Sequence, residues 1–196
     1  MPADVDSPRV TRTVPLQVSV VLAICLALAG CSSLVGTPTP TATPPPDIQV
    51  TLANEGNATY TFAYWVVPGA VDAVTEVTTT GETRVVDNLT GAAGARLFRP
   101  DDVTDVRWPA AADQEGRFTL PPGSSVSGPV EDPVPGTTIL FLVRTEDRVQ
   151  AWGTADCGPD DALTLVDVRW SEAGAGLGIG CDSLGEDGTP VERTGS

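Results

Sequence analysis

A chain of 196 residues, 41% of them hydrophobic, is long enough for one domain of ordinary size with a sizeable core. Its 26 acidic residues outnumber 11 basic ones, all arginine, and the net charge of -15 repels phosphate backbones, which argues against a nucleic-acid partner. The chain has no histidine, which excludes Ser-His-Asp and Cys-His nucleophiles, histidine-ligated zinc and a blue-copper site, and no lysine, which excludes a Walker loop, a Schiff base and a Ser-Lys dyad.

At the amino terminus, Arg9 and Arg12 precede an apolar run from Val18 to Gly30, broken only by Ser19. As a helix it would span about 20 Å, short of the roughly 30 Å hydrocarbon core, so it reads as an export signal and not as a membrane span. Leu28-Ala29-Gly30-Cys31 closes the run and resembles the lipobox of bacterial and archaeal lipoproteins. That resemblance implies cleavage before Cys31 and attachment of a diacyl- or dialkylglycerol to its thiol, which would tether the protein to a membrane. Two lipid chains are what stable anchoring needs. Cys25 is the competing candidate, but Ile24 before it is too bulky for the peptidase.

Thr37 to Pro46 alternates threonine with proline and then ends in three prolines, a composition that cannot fold into helix or sheet. It reads as an extended spacer of the kind that carries glycans. The expected organisation is a cleaved signal over 1–30, a lipid-bearing stalk over 31–46, a folded domain over 47–182 and a disordered tail over 183–196. Abundant Asp, Thr, Ala, Gly and Val, with no Lys, looks like a protein from a salt-loving archaeon, where cations screen surface carboxylates.

From Asp47 onward, short apolar runs are separated by Gly, Pro, Asn and Asp. Ile48, Val50 and Leu52 alternate with Gln49, Thr51 and Ala53, as in a half-buried strand. Thr59 to Val67 is apolar on both faces and predicts a central strand. Val74–Thr79 and Glu82–Asp87 predict a hairpin around Gly81, and Arg117–Leu120 a strand stopped by Pro121-Pro122-Gly123, which suits a type II turn. Thr137–Arg144 is the strongest core strand; Arg148–Thr154 pairs with it across Thr145-Glu146-Asp147, and Ala162–Trp170 is the last long strand. Gly91–Gly116 reads as a long loop with one short strand, Val103–Trp108. Seven to nine strands in about 135 residues predict an all-β fold, an antiparallel immunoglobulin-like β-sandwich. The stretch Phe118 to Ser125 (FTLPPGSS) resembles the strand-turn of immunoglobulin-like modules in archaeal surface proteins.

Candidate chemistry is sparse. Gly174 to Gly180 alternates glycines by two outside any strand-helix unit, so it reads as a glycine-rich edge or loop rather than a dinucleotide site. Asp101, Asp102 and Asp105, or Asp156, Asp160 and Asp161, supply oxygen ligands for calcium, but neither set matches an EF-hand and solvated loop acids are the simpler reading. No metal or cofactor is expected. Asp105-Val106-Arg107-Trp108 recurs as Asp167-Val168-Arg169-Trp170, a charged outer face over an apolar inner one. Among the four tryptophans, Trp170 belongs with Val166 and Val168 in the core. Trp152 shares a face with Gln150 and Thr154, which makes it the best candidate for an exposed aromatic, although a covered position is the simpler expectation.

With Cys25 removed and Cys31 alkylated, Cys157 and Cys181 are the remaining thiols in an oxidising compartment and should pair. Asn57-Ala58-Thr59 and Asn88-Leu89-Thr90 fit the glycan acceptor triplet, so Asn57 and Asn88 are candidate N-glycosylation sites. The reading is a non-enzymatic surface module, tethered through Cys31, that meets an envelope protein or glycan partner. Its rivals are a carbohydrate-binding module and a hydrolase working with carboxylates alone.

The acidity makes a measurable demand. Removal of residues 1–30 takes away Asp4, Asp6, Arg9 and Arg12, so the net charge remains -15 on a smaller body. The Debye length falls from about 30 Å at 0.01 M salt to about 3 Å at 1 M, which removes most of the self-repulsion. The melting temperature of the oxidised protein should therefore climb from millimolar to molar salt. A flat series would show that the carboxylates do not oppose folding.

Overall fold

The computed structural model describes residues 46–89 and 94–185. The signal, Cys31, nearly all of the stalk, Thr90 and the residues beyond 185 lie outside the described residues.

Twelve strands are formed among the described residues, and none of these residues is helical. They are β1 (Ile48–Asn54), β2 (Tyr60–Val67), β3 (Val74–Thr78), β4 (Thr83–Val86), β5 (Gly94–Phe98) and β6 (Val103–Arg107). The second half of the chain adds β7 (Asp113–Leu120), β8 (Ser125–Val130), β9 (Thr138–Arg144), β10 (Val149–Asp156), β11 (Asp161–Ser171) and β12 (Gly174–Ser183). The all-β immunoglobulin-like expectation holds, with three sheets in place of two. A four-stranded sheet has the order β12-β11-β1-β8, a five-stranded sheet β5-β10-β9-β2-β7, and a small sheet β4-β3-β6.

The first two sheets enclose the main core. Ile48, Val50 and Leu52 from β1 meet Phe62 from β2, Phe141 and Val143 from β9, and Val166 and Val168 from β11. The period-two alternation of β1 places these three side chains inward, as the sequence predicts. β2 and β9 are interior strands of the five-stranded sheet, in keeping with their apolar faces. Pairing is antiparallel except at one place: β1 runs parallel to β11, with Val50 opposite Val166 and Leu52 opposite Val168. The two strands are far apart in sequence, so no hairpin forces them to be antiparallel.

The turns obey local chemistry. Ser124 N–H donates to the Pro121 carbonyl at 3.2 Å, and Gly123 takes φ 71°, the third-position requirement of a type II turn. Buried Asn54 locks that turn to the β1–β2 connection. Its amide nitrogen donates to the carbonyls of Ala58 and Leu120, both at 2.8 Å, while its side-chain oxygen accepts from Gly56 N–H at 3.0 Å.

The unexpected element is the third layer. The hairpin β3–β4 and the strand β6, which borders β3, pack on the outer face of the five-stranded sheet. Val74, Val103 and Val106 meet Leu140, Leu142, Val149 and Trp152 in a second core. This roof covers Trp152, which is fully buried, the simpler of the two expectations for it. Its ring stacks on Phe98 at 4.1 Å between centroids and meets Trp108 edge-on at 5.9 Å. Gln150 and Thr154 were poor guides to its face. A register shift between Val149 and Ala151 interrupts the alternation of β10, and the roof buries Thr154 as well.

The roof also brings down a carboxylate. Glu76 on β3 is buried, accepts the Trp152 indole N–H at 2.7 Å, and takes the Arg84 Nε–H at 2.7 Å. Arg84 itself is half exposed and reaches Asp102 at 3.5 Å. Hydrogen bonding to Glu76, followed by its charge, raises the Arg84 pKa further above its already high value.

These contacts predict an order of mutational costs. Trp152→Phe leaves a cavity in the second core and removes one charged-acceptor hydrogen bond, costing about 3 kcal/mol. Arg84→Leu leaves a buried carboxylate without a cation, whereas Glu76→Gln leaves a cation that water can reach. Arg84→Leu should therefore lower the melting temperature more than Glu76→Gln. The reverse order in a thermal series would refute this account of the roof.

Candidate functional site

The functional residues expected from sequence fall into three groups. Cys31 lies outside the described residues. Cys157 and Cys181 are joined by a disulfide with their Cα atoms 5.8 Å apart. It links the residue after β10, in the five-stranded sheet, to β12, an edge strand of the four-stranded one. The closed loop is worth roughly 3 kcal/mol on the chain-entropy account.

Asn57 and Asn88 are both exposed, in the connection after β1 and in the one after β4. Asn57 N–H donates to the Glu172 carboxylate, leaving its side-chain amide outward. Asn88 adopts φ 58°, its amide donates to Asp87 at 2.8 Å, and its carbonyl accepts from Arg96 at 2.6 Å. A left-handed asparagine is a turn conformation, as a surface acceptor requires.

Neither aspartate trio becomes a cation cage. Among the described residues, no three acidic or cysteine side chains converge in a metal-holding arrangement. Asp102 is used by Arg84, and Asp105 lines a separate slot. Asp156, Asp160 and Asp161 line the largest cavity described, about 620 Å³, beside the disulfide. Burial pushes the Asp156 carboxyl up from its ordinary value, while the Gly158 N–H at 3.1 Å and nearby Arg96 pull it down.

The repeated tetrapeptide behaves as outer charge over inner core. Val106, Val168 and Trp170 are buried, Asp105, Arg107 and Arg169 are exposed, and Arg169 pairs with Asp167 at 2.8 Å. The alternating glycines form β12, an edge strand, with Ala175, Leu177 and Ile179 packed on the core.

Sequence reasoning missed the most chemically varied cleft. Where the roof stops short of the β2–β7 side of the five-stranded sheet, a slot of about 140 Å³ remains. Trp65 and Trp108 form its aromatic wall, half-buried, with ring centroids 5.1 Å apart and planes inclined at 46°. Ala63 and Leu142, paired across β2 and β9, form the apolar floor. Arg117, Arg144, Asp105 and Gln114 supply the polar rim. Tryptophans are visible in the sequence, but nothing in the spacing of Trp65, Trp108, Arg117 and Arg144 shows that β7 and β9 flank β2. A second cavity of about 470 Å³ adjoins the slot, sharing Thr61 and Arg144.

Comparison with known proteins now bears on the whole chain. Residues 10–187 match the family described as halobacterial Ig domain protein. The chain belongs to that family. Membership accounts for the immunoglobulin-like sandwich, fits a non-enzymatic module, and points to a cell-surface or extracellular protein. No curated protein matches the chain. Two solved structures are weakly similar, one described as the human-specific toxin intermedilysin (8% identity, TM-score 0.26) and one as a trapped toxin (11%, 0.27). In each case the likeness covers 68% of this chain but only 23% of the other, and at these scores it bears on neither fold nor function.

The Asp156 shift has a definite sign. A carboxyl with a raised folded pKa destabilises the fold once ionised, so its cost appears as pH rises through that pKa and is absent below the unfolded value of about 3.9. Asp156→Asn retains the acceptor for Gly158 N–H and cannot ionise. It should melt higher than the parent at pH 7, with the difference closing near pH 3; equal melting at both pH values would contradict the burial.

Proposed function

We propose that this halobacterial Ig domain protein is a lipid-anchored, non-catalytic module of the cell surface. In this reading Cys31 carries the lipid, residues 31–46 hold the domain away from the membrane, and the sandwich presents itself to other envelope components. One observation supports the reading: the family match runs from residue 10 to residue 187, and so extends over the apolar run, Cys31 and the proline-threonine stretch as well as the domain. A cysteine at the end of an apolar run, followed by a proline-threonine spacer, suits a tether and has no use inside a β-core.

Asn57 and Asn88 would carry glycans on the outward face of such a module, a role supported by their exposure. A carbohydrate-binding role is the second reading, favoured by the Trp65–Trp108 wall beside charged side chains.

Fractionation of cells expressing Cys31→Ala tests the anchor. The expected outcome is protein released to the medium or left uncleaved, with no lipid mass on the chain. A variant that partitions into detergent as the parent does would overturn the proposal.

A further inference from the structure

We infer that the slot beneath the roof binds a sugar residue that carries a carboxylate. This deepens the reading of a surface module with a glycan partner, and rests on it only for the side of the membrane where the ligand is met.

The first observation concerns the arginines. Arg84 and Arg169 are neutralised by carboxylates. Arg117 and Arg144 form no ion pair among the described residues, yet both line the same slot of a protein with net charge -15. Arg117 on β7 lies opposite Ala63, and Arg144 on β9 lies opposite Thr61, so their backbones stand about 12 Å apart, two strand spacings across and two residues along, with β2 between them. Side chains of that length reach a common group placed above β2. Arg144 is held ready: Nε donates to the Thr145 carbonyl at 3.2 Å and Nη2 to the Glu146 carbonyl at 3.1 Å, leaving Nη1 for a ligand. Arg117 is exposed.

The second observation is the balance of the remaining walls. Asp105 accepts hydrogen bonds, Gln114 both donates and accepts, and Trp65 with Trp108 presents an aromatic surface to the apolar C–H face of a sugar ring. Two guanidiniums and one carboxylate give the slot a net charge of about +1. One carboxylate matches that charge, whereas a phosphate dianion would leave Asp105 facing excess negative charge. Hydroxyl groups satisfy Asp105 and Gln114 where a plain carboxylic acid would not. The adjoining cavity shares Thr61 and Arg144 with the slot and is otherwise lined by Glu146, Asp147 and hydroxyl-bearing residues, so it suits neutral sugars as the next residues of a chain.

The test titrates the full detergent-solubilised chain in molar salt with the monoanion methyl galacturonoside and with neutral methyl galactoside, following calorimetry and tryptophan fluorescence. Methyl galacturonoside should bind with a change in emission, and methyl galactoside at least ten-fold more weakly. Arg117→Gln should lose at least ten-fold for the acidic probe and melt like the parent; Trp108→Leu should weaken both. Equal affinity for the two probes, parent-like affinity of Arg117→Gln, or binding of neither would overturn the inference. Loss of binding with membrane partitioning intact would leave the surface reading standing. Binding to methyl galacturonoside by a parent chain found to carry no lipid would remove the anchor and keep the slot.

Discussion

A hydrogen bond from the Trp152 indole to the Glu76 carboxylate fixes the third layer to the middle sheet. The middle sheet is the constraint behind it. Strands β9 and β10 carry large apolar side chains on both faces, and a two-sheet sandwich covers only one of them. Leu140, Leu142, Val149 and Trp152 would otherwise face water, at a cost of roughly 25 cal/mol per Å² left bare. The roof buries them with a short hairpin and one further strand, and Glu76 gives the indole an acceptor that hydrophobic neighbours could not. Trp108 is drawn to the roof edge by the same packing, which is why an aromatic wall ends there.

Charge is distributed with similar economy. The domain has few cations, and their positions separate structural from available ones. Arg84 compensates a buried carboxylate and Arg169 holds Asp167 on the outer face of β11. Arg99 lies 5.7 Å from the centre of the Trp170 ring, covering the edge of the main core. Those at the slot have no carboxylate to hold, in a protein with carboxylates to spare.

Much of the sandwich was legible because alternation reports burial directly. β1, β2, β9 and β11 lie where their apolar periods place them. β5 and β8 were not read as strands, and β12 only as a glycine-rich edge or loop, for a shared reason. Each is an edge strand, and edges tolerate the glycine, serine and proline that weaken the signal, as Pro129 does within β8. The parallel β1–β11 pair was illegible because register between distant segments leaves no local trace. Trp152 was expected to be covered, but what covers it was not legible: its neighbours in sequence are polar enough for a surface, and a local bulge and a non-local roof decide its face. The slot was half legible, since tryptophans announce themselves while the convergence of two arginines depends on strand order.

The interior position of β1 has a mechanical meaning. It is the strand nearest the stalk, and it is hydrogen-bonded on both sides, parallel to β11 and antiparallel to β8. A pull along the chain ahead of Asp47 loads both ladders along the strand axis. Their hydrogen bonds lie across that axis, so they are sheared together and do not open one at a time, as they would in a peeled hairpin. Ile48, Val50 and Leu52 must also leave the core in the same step. On the proposed tether, the domain would be gripped at its centre, and drag on a bound partner would meet the stiffest part of the sheet first.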